Sequence, residues 1–402
     1  ASILKLTALI CPFRFFASQL LICSRIQQQL QGRLKNALWH RTASFPLSRN
    51  FTLPILVIAC NRLTVKRTLD SLLRYRSELV DLSPNQFPIT VSHGCDHKPT
   101  RDILKSYKPA ITVTEFLDDS SPSKFLGPVQ KGYASAARHY KYALERMFVK
   151  FNHSALIIVE DDLDIASDFF QYFAATLPML MASQSLFCVS AWNDNGRPGL
   201  VDPSRPDLLY RTDFFSGLGW MLLRQFWLEI REGWPDIFWD EYLRKPYVRK
   251  NRSCLRPEVS RTITFGRMGI SKGQFFDAYL KTMILNNQWQ NFLRMDLSYL
   301  HEPNYTRRWL DSVYNMSVEI PLSQFLKDDL PLILTTPARR IRVTYKSQID
   351  FNQIAVKLNL MNDIKSGVMR NAFAGVVPVK WKNQWIYIAP PPTWTDYDQS
   401  WT

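Results

Sequence analysis

Several common signals are missing from this chain of 402 residues, and their absence narrows its possible functions. None of the six cysteines forms a Cys-x-x-Cys pair, which argues against a zinc site. There is no zinc-finger spacing, no RNP pattern and no concentrated block of Lys and Arg, so the net charge of +15 does not indicate nucleic-acid binding. There is also no internal repeat and no long low-complexity tract. The chain is long enough for two domains, and its basic balance suits a phosphorylated ligand or a membrane surface.

The N-terminal segment lacks an uninterrupted apolar stretch of membrane-spanning length. Residues 3–23 are rich in apolar side chains, but Lys5, Pro12 and Arg14 interrupt them. The cleanest piece, residues 15–23, is shorter than the roughly 20 residues that a spanning helix needs. We interpret residues 1–23 either as the remnant of a membrane anchor or as a non-native start, followed by a stem or linker.

Asn-x-Ser/Thr sequons recur along the chain and fit a lumenal protein, in which disulfides are permitted. The five sequons begin at Asn50, Asn152, Asn251, Asn304 and Asn315. Some sequons arise by chance, so they indicate the compartment only together with other signals.

The most informative stretch is an apolar run that ends in three consecutive carboxylates. Residues 155–159 are all apolar and predict a strand buried on both faces, as in a parallel sheet. Glu160, Asp161 and Asp162 follow at its carboxyl end, where open α/β sheets bind ligands. Hard divalent cations take carboxylates together with substrate phosphate oxygens. The stretch therefore predicts a cation site, although three acids that merely start a polar loop would give the same pattern.

Alternating strand and helix patterns predict a doubly wound α/β sheet. Residues 54–60 and 88–92 are the first two predicted strands, and Thr64 is a candidate cap for the helix between them. An apolar stripe with helical spacing predicts an amphipathic helix over 131–150, directly before the carboxylate strand. A second, smaller domain is expected to begin near Asn304.

Ordered motifs from about residue 53 to residue 401 carry a resemblance to a known family. The motifs are Val57-Ile-Ala-Cys-Asn-Arg62, Ala137-Arg-His-Tyr140, Val159-Glu-Asp-Asp-Leu163, Val189-Ser-Ala-Trp-Asn-Asp-Asn-Gly196, Tyr210-Arg-Thr-Asp-Phe-Phe215, Phe238-Trp-Asp240, Arg256-Pro-Glu-Val-Ser-Arg-Thr262, Gly273-Gln-Phe-Phe-Asp277 and Ala389-Pro-Pro391. Through them the chain resembles the N-acetylglucosaminyltransferase I family, Golgi enzymes that begin complex N-glycan synthesis. The resemblance implies a GT-A type nucleotide-sugar fold in a type II single-pass protein of the Golgi lumen.

The resemblance also sets expectations for domains and disulfides. We expect an anchor remnant and stem over 1–52, a GT-A catalytic domain over 53–267, a donor-covering loop and linker over 268–303, and a smaller C-terminal α+β domain over 304–402 with strands over 341–345 and 384–388. The implied disulfides are Cys60–Cys95 and Cys188–Cys254, with Cys11 and Cys23 left outside the enzyme fold. Cysteine spacing alone leaves this connectivity open.

The resemblance assigns roles to the three acids Glu160, Asp161 and Asp162, and it implies that Mn2+ is the cofactor. Asp162 corresponds to the metal ligand, Asp161 to a donor contact through the ribose, and Glu160 to a residue near the transferred sugar. A metal held by one carboxylate and both donor phosphates acts as a Lewis acid while the diphosphate leaves.

Three further positions match residues that contact the donor. Arg62 and His139 match nucleotide-binding positions, and Ser271 matches a diphosphate contact on a loop that orders when the donor binds. Without the resemblance, the simpler prediction is that Arg62 is a solvated surface arginine and that His139 is an exposed residue of the amphipathic helix.

Inversion at the anomeric carbon needs a base that takes a proton from the acceptor hydroxyl, and the resemblance assigns this role to Asp240. Asp236 and Glu241 lie nearby in the sequence, so the local pattern alone does not select between these acids. Trp239, beside Asp240, is a candidate for packing against a sugar.

The chain departs from the family at one position of the donor site. The family usually has an Asp that reads the uracil ring immediately before the cysteine matching Cys95, and this chain has Gly94. A hydrogen bond to a charged group contributes roughly 1.5–3 kcal/mol, so we expect a weaker or less selective site unless Asp96 or His93 substitutes.

The resulting expectation is an inverting, Mn2+-dependent enzyme. It would transfer GlcNAc from UDP-GlcNAc in β-1,2 linkage to the α-1,3-mannose of an oligomannose N-glycan. One alternative is the related transferase for protein O-mannose, whose additional N-terminal carbohydrate-binding region has no room here. Another is a non-catalytic glycan- or nucleotide-binding homologue, which Gly94 favours and the retained Asp162 and Asp240 oppose.

Overall fold

The computed structural model describes residues 51–119, 126–327 and 340–402, which form two compact units divided between Asp296 and Leu297. Predictions on residues 1–50, including the anchor remnant, the stem, Asn50 and the two N-terminal cysteines, lie outside the described residues. The domain boundaries at 267/268 and 303/304 stay predictions.

The larger unit alternates strands and helices. Its strands are β1 (Ile55–Ala59), β2 (Ile89–His93), β3 (Thr112–Glu115), β4 (Ala155–Glu160), β5 (Leu163–Ile165), β6 (Leu186–Ser190), β7 (Leu209–Thr212), β8 (Trp220–Leu223), β9 (Ser253–Pro257) and β10 (Thr262–Thr264). Its helices are α1 (Val65–Ser77), α2 (Lys98–Ser106), α3 (Pro128–Glu145), α4 (Phe169–Ala182), α5 (Arg224–Ile230), α6 (Trp239–Arg244) and α7 (Pro246–Arg249).

The central sheet of the larger unit is mixed and mostly parallel. Within the described residues its strand order is β3-β2-β1-β4-β8-β6-β9-β7. Strand β4 pairs parallel with β1, where Ile157 lies opposite Ile55, and antiparallel with β8, where Ile157 lies opposite Met221. Residues 155–159 are buried, as the unbroken apolar run predicted. The parallel half, β3-β2-β1-β4, brings four carboxyl ends to one edge of the sheet.

The helix before β4 begins earlier than predicted. It starts at Pro128 rather than residue 131, because proline has a backbone angle suited to the first helical turn. Its last turn, Arg146–Lys150, is π-helical. The predicted apolar stripe packs in a buried hydrophobic cluster with residues of β4 and β8 and several tryptophans. The predicted Thr64 cap is wrong in detail, since Thr64 stands at the N-cap position of α1 but its side chain makes no capping hydrogen bond.

The smaller unit is built around a mixed sheet with the order β11-β12-β14-β13 among the residues described. Its strands are β11 (Ser317–Ile320), β12 (Arg340–Thr344), β13 (Val377–Trp381) and β14 (Gln384–Ala389), and its helices are α8 (Asn304–Tyr314), α9 (Leu322–Leu326) and α10 (Gln348–Leu358). The predicted strands over 341–345 and 384–388 agree with β12 and β14 to within a residue at each end. Over the described ranges of both units, every helix is too short or too polar to cross a membrane.

Candidate active site

The acids after β4 lie in the interior, beside the carboxyl end of β1. Asp161 and Asp162 are only 5% and 6% exposed, which excludes a solvated polar loop. Asp161 Oδ2 accepts a hydrogen bond from the Cys60 backbone N–H at 3.0 Å, and its Oδ1 accepts one from Arg62 at 3.1 Å. The same Arg62 nitrogen also donates to Asp162 Oδ2. Arg62 therefore joins the end of β1 to two of the predicted site acids.

Asp162 sits under a close backbone crossing. The β5–β10 ladder brings the chain back over it, and Phe265 N–H donates to the Asp162 carbonyl at 3.0 Å. A Cβ on Gly266 would lie 2.7 Å from Asp162 Cγ and 2.9 Å from Asp162 Cβ, so this position has room only for glycine. Asp162 Oδ1 is buried and has no hydrogen-bond partner in the structure. A buried carboxylate oxygen without a partner is a ready ligand for a cation.

The electrostatics of the three acids favour further positive charge. Lost hydration raises the pKa of Glu160 to about 7, and the charge of Asp162 adds to the rise. Burial raises the pKa of Asp161 to about 6 and also raises the pKa of Asp162, while Arg62 opposes both shifts. Burial lowers the pKa of Arg62, but the charges of Asp162 and Asp161 outweigh it, so the net shift is upward. An added cation would favour the charged forms of these acids, which burial above all and, for Glu160 and Asp161, the neighbouring carboxylates disfavour.

Tyr140 connects the acids to the helix that carries the predicted base. Its hydroxyl donates to Glu160 Oε1 at 2.6 Å, and its ring stacks on Trp239 with the ring centroids 4.0 Å apart. Burial, followed by the charge of Glu160, raises the pKa of Tyr140 well above its usual value, so the hydroxyl keeps its proton. Glu160 on β4 and Asp240 on α6 are thus positioned around the same tyrosine.

Asp240 lies in the first turn of α6 and is held by a buried arginine. Arg244 donates to Asp240 Oδ2 at 2.8 Å and to the Phe215 carbonyl at 3.1 Å. The side chain of Arg244 is 9% exposed, whereas that of Asp240 is 37% exposed. The carboxylate is therefore fixed on one side and open to solvent on the other, as a base that receives a proton from a bound molecule must be.

Trp239 does not have the environment expected of a sugar-stacking residue. It is only 9% exposed and lies within a stack of aromatic rings, with Tyr140 at 4.0 Å, Trp220 at 6.0 Å and Trp234 at 6.1 Å between centroids. Its apolar ring is used for core packing, and we therefore correct the prediction that it packs against a sugar.

His139 is buried rather than exposed, against the simplest reading of its helix. Its Nε2 lies 2.9 Å from Ser92 Oγ, and the Phe116 ring stacks on it with centroids 4.9 Å apart. A Cβ on Gly94 would lie 3.0 Å from the His139 ring. Burial, with the charge of His93 adding, lowers the pKa of His139 to about 4, so the imidazole is neutral near pH 7.

The two proposed substitutes for the missing aspartate have other partners. His93 is fully buried, and its Nδ1 lies 2.8 Å from Glu115 Oε2. The side chain of Asp96 is 78% exposed and pairs with Arg101. At this position the chain has an imidazole–phenyl stack close to the backbone of Gly94.

We expect acid to destabilise the fold through His139. The unfolded histidine binds a proton below about pH 6.5, whereas the folded one does so only near pH 4, so unfolding takes up protons between these values. The contribution of His139 to the free energy of unfolding should fall by roughly 3 kcal/mol as the pH drops through this window, whereas the raised pKa values of Glu160 and Asp161 act in the opposite direction, so the comparison is made with a His139 variant. Denaturant unfolding of wild type and His139→Gln at pH 7.0, 5.5 and 4.5 measures this, and the stability difference between them should shrink with acid. A constant difference would show that His139 does not titrate as the structure indicates.

Ser271 lies on an exposed segment after β10 and has no contact with the acids in the structure. Its carbonyl accepts a hydrogen bond from Gln274 N–H at 3.1 Å. The same segment does reach the site through Met268, whose carbonyl accepts from Arg62 at 3.0 Å. The role of Ser271 therefore stays a prediction.

Sequence reasoning missed three residues that shape the site. Gly266 permits the crossing over Asp162, Tyr140 bonds Glu160, and Arg244 holds Asp240. A glycine two residues after the end of strand β10 could have drawn attention to Gly266. Arg244 lies four residues after Asp240, a helical spacing that places the two side chains together.

The implied disulfides are confirmed. Cys60–Cys95 joins the loops that follow β1 and β2, and Cys188–Cys254 joins β6 to β9. The first of them lies beside the candidate site, because the backbone of Cys60 also donates to Asp161.

Fold and site together define a nucleotide-sugar transferase class, and comparison with known proteins agrees. The GNT-I family model matches residues 22–401, and the chain belongs to this family. The alpha-1,3-mannosyl-glycoprotein 2-beta-N-acetylglucosaminyltransferase of Arabidopsis thaliana is 36% identical over 329 residues, covering 80% of this chain and 70% of that protein. The predicted family and the predicted GT-A type α/β fold are confirmed.

Solved structures with a detectable likeness are more distant. The mannosyltransferase PcManGT from Pyrobaculum calidifontis, in complex with GDP-Man and Mn2+, is 15% identical with a TM-score of 0.29, covering 52% of this chain and 56% of that one. S. aureus TarS 1-349 in complex with UDP-GlcNAc is 14% identical with a TM-score of 0.29, covering 44% and 47%. The chain thus spans about half the length of these solved proteins, and at such scores the likeness does not extend to the details of the site.

Proposed function

We propose that this chain is an inverting, metal-dependent N-acetylglucosaminyltransferase. It transfers GlcNAc from UDP-GlcNAc in β-1,2 linkage to the α-1,3-mannose of an oligomannose N-glycan. The observation that carries the proposal is the buried Asp162, with its unpartnered Oδ1, placed beside Arg62 in a chain of the GNT-I family. The name of the 36%-identical relative supports the transferred sugar, its linkage and the acceptor mannose.

The residues present fit a divalent cation. Asp162 Oδ1 is the ligand atom, and Asp161 and Glu160 add negative charge around it. Across residues 51–119, 126–327 and 340–402 there is no group of three or more His, Cys, Asp and Glu side chains that could bind a metal by themselves. Donor phosphate oxygens and water would therefore complete the ligand set, as Mg2+ and Mn2+ sites in such enzymes allow. The bound ion supplies Lewis-acid neutralisation of the diphosphate, and we propose Mn2+ as its identity.

The residues around the cation site support donor binding. Arg62, with its guanidinium turned toward the acids, is placed to contact the anionic diphosphate. His139, held neutral against Ser92, is assigned to the nucleotide, and Asp161 to the ribose. Tyr140 keeps Glu160 oriented by a 2.6 Å hydrogen bond, and Glu160 is assigned to the transferred sugar.

The chemical step follows from Asp240. Its carboxylate takes the proton of the mannose hydroxyl, whose oxygen attacks the anomeric carbon of GlcNAc while the bond from that carbon to the diphosphate breaks. Attack from the face opposite the leaving group inverts the configuration, through a transition state like that of glycoside hydrolysis. Arg244 positions Asp240 during this step through its 2.8 Å hydrogen bond.

We also propose that the protein works in the Golgi lumen as a type II membrane protein. The two disulfides fit an oxidising compartment. The sequon residues Asn152, Asn251, Asn304 and Asn315 are all exposed, as glycan acceptors in a lumenal protein are.

The proposal is tested by transfer in vitro. Purified protein is incubated with UDP-GlcNAc, Mn2+ and a five-mannose N-glycan, and UDP release and glycan mass are measured. We expect a gain of one HexNAc that a chelator abolishes and that added Mn2+ restores. An O-mannosyl peptide serves as the second acceptor, and its preferential use would move the assignment to the protein O-mannose enzyme. A folded protein that binds glycan but transfers no sugar would be the non-catalytic homologue that Gly94 favours.

A further inference from the structure

The residue two positions before Asp240 has an unusual backbone. Phe238 has a φ of 55° and a ψ of 54°, the left-handed conformation that bulky side chains rarely adopt. It stands at the N-cap of α6, and its carbonyl accepts a hydrogen bond from Tyr242 N–H at 3.2 Å. Phe238 is 39% exposed, whereas Trp234, four residues earlier, and Trp239, the next residue, are buried. Strained backbone of this kind is concentrated at binding and catalytic sites.

A second aromatic ring meets Phe238 from another element. Tyr133, in the first turns of α3, lies with its ring centroid 4.8 Å from that of Phe238, at an interplanar angle of 52°. Tyr133 is itself partly exposed. Burial and then the charge of Asp240 raise the pKa of Tyr133, so its hydroxyl keeps its proton. Two partly exposed rings, one on α3 and the other at the start of α6 two residues before Asp240, therefore contact each other.

A single exposed aromatic side chain does not indicate a binding site, since isolated apolar side chains are common on protein surfaces. Here the exposed ring contacts a second one, is presented by a strained backbone and stands two residues before the partly exposed Asp240. The donor is assigned to Arg62 and Asp162, which follow the carboxyl ends of β1 and β4. An inverting base stands opposite the diphosphate, so the group that adjoins Asp240 from solvent is the acceptor.

We propose that Tyr133 and Phe238 form the acceptor subsite, an aromatic pair that packs against the C–H face of the mannose whose hydroxyl meets Asp240. A pyranose has an apolar face and a polar rim, which suits a ring surface beside a carboxylate and a phenol hydroxyl. The Tyr133 hydroxyl is placed to bond the rim of the sugar. The inference rests on the proposed function and extends it to residues that bind the acceptor.

The test uses Phe238→Asn, because asparagine tolerates the left-handed backbone and removes only the ring. We expect the KM for the five-mannose glycan to rise about tenfold, the size of effect that one lost aromatic contact gives. The KM for UDP-GlcNAc should stay within about twofold and kcat within about threefold of wild type. Phe238→Tyr should restore the acceptor KM. Tyr247→Asn is the matched control, since Tyr247 is a 67% exposed aromatic residue on α7, and it should leave every constant unchanged.

An unchanged acceptor KM in Phe238→Asn would overturn the inference, and so would a rise confined to the KM for UDP-GlcNAc, which would assign the pair to the donor. Saturation-transfer NMR of the same glycan, without donor, is the second readout. Wild type should give signal on the mannose C–H protons, and Phe238→Asn should lose it. If the wild type gives the NMR signal, Phe238→Asn loses it and neither protein transfers sugar, the proposed function is wrong but the glycan-binding subsite is supported. If the wild type transfers sugar and Phe238→Asn has the same acceptor KM, the proposed subsite is wrong while the proposed function is retained.

Discussion

Asp240→Asn is expected to lower kcat about a thousandfold, within the ~10²–10⁴ range of a general base, while UDP binding remains at the wild-type level. The amide keeps the shape of the side chain and can still contact Arg244, so the fold of α6 should persist. It cannot accept the proton of the attacking hydroxyl. Steady-state kinetics with the five-mannose glycan and calorimetric titration with UDP in the presence of Mn2+ measure the two effects separately.

The neighbouring acids supply the controls for this experiment. Asp236 is exposed, and Asp236→Asn should leave kcat within about threefold of wild type. Glu241 accepts from Arg244 at 3.3 Å, so Glu241→Gln should have an intermediate effect through the positioning of Asp240. If Asp236→Asn or Glu241→Gln lost turnover while Asp240→Asn retained it, the base would be reassigned.

Gly266→Ala is expected to reduce activity about a hundredfold without unfolding the protein. The new methyl carbon would come within 2.7 Å of Asp162 Cγ and 2.9 Å of Asp162 Cβ, so the carboxylate must move from its present place. A displacement of about 1 Å in a site of this kind can cost a hundredfold in rate. Activity measured across an Mn2+ titration should show a higher half-saturating metal concentration together with a lower maximum.

A glycine of the same chain provides the comparison. A Cβ on Gly127 would meet only the flexible end of the Gln130 side chain, so Gly127→Ala should behave as wild type. Thermal unfolding of both variants checks that the fold is retained. Wild-type activity and metal response in Gly266→Ala would mean that Asp162 is not the metal ligand.

The pattern of apolar residues along the chain predicted individual strands and helices of this fold. The unbroken apolar run 155–159 is sufficient to predict a buried strand, because each face of that strand needs an apolar neighbour. The helical stripe that includes Tyr140 was also readable, although the start of the helix depends on the proline at 128. The disulfide pairing came from the resemblance, since six cysteines allow many connectivities.

The site was only partly predictable, because its contacts join distant parts of the chain. Gly266 and Asp162 are far apart in sequence, and only the β5–β10 ladder brings them together. Trp239 was predicted to pack against a sugar because it stands beside a carboxylate. An aromatic residue in that position can either bind a ligand or pack in the core, and only its burial in the folded protein distinguishes the two. The left-handed backbone of Phe238 has no sequence signature, since its residue type is one that disfavours that conformation.

The Cys60–Cys95 bridge links the support of Asp161 to the redox state of the compartment in which the chain folds. Cys60 belongs both to that bridge and, through its backbone N–H, to the support of Asp161. A copy that folded in the reducing cytosol would lack the covalent bond between the loops that follow β1 and β2. We therefore expect the backbone that supports Asp161 to be held covalently only in a compartment where thiols are oxidised.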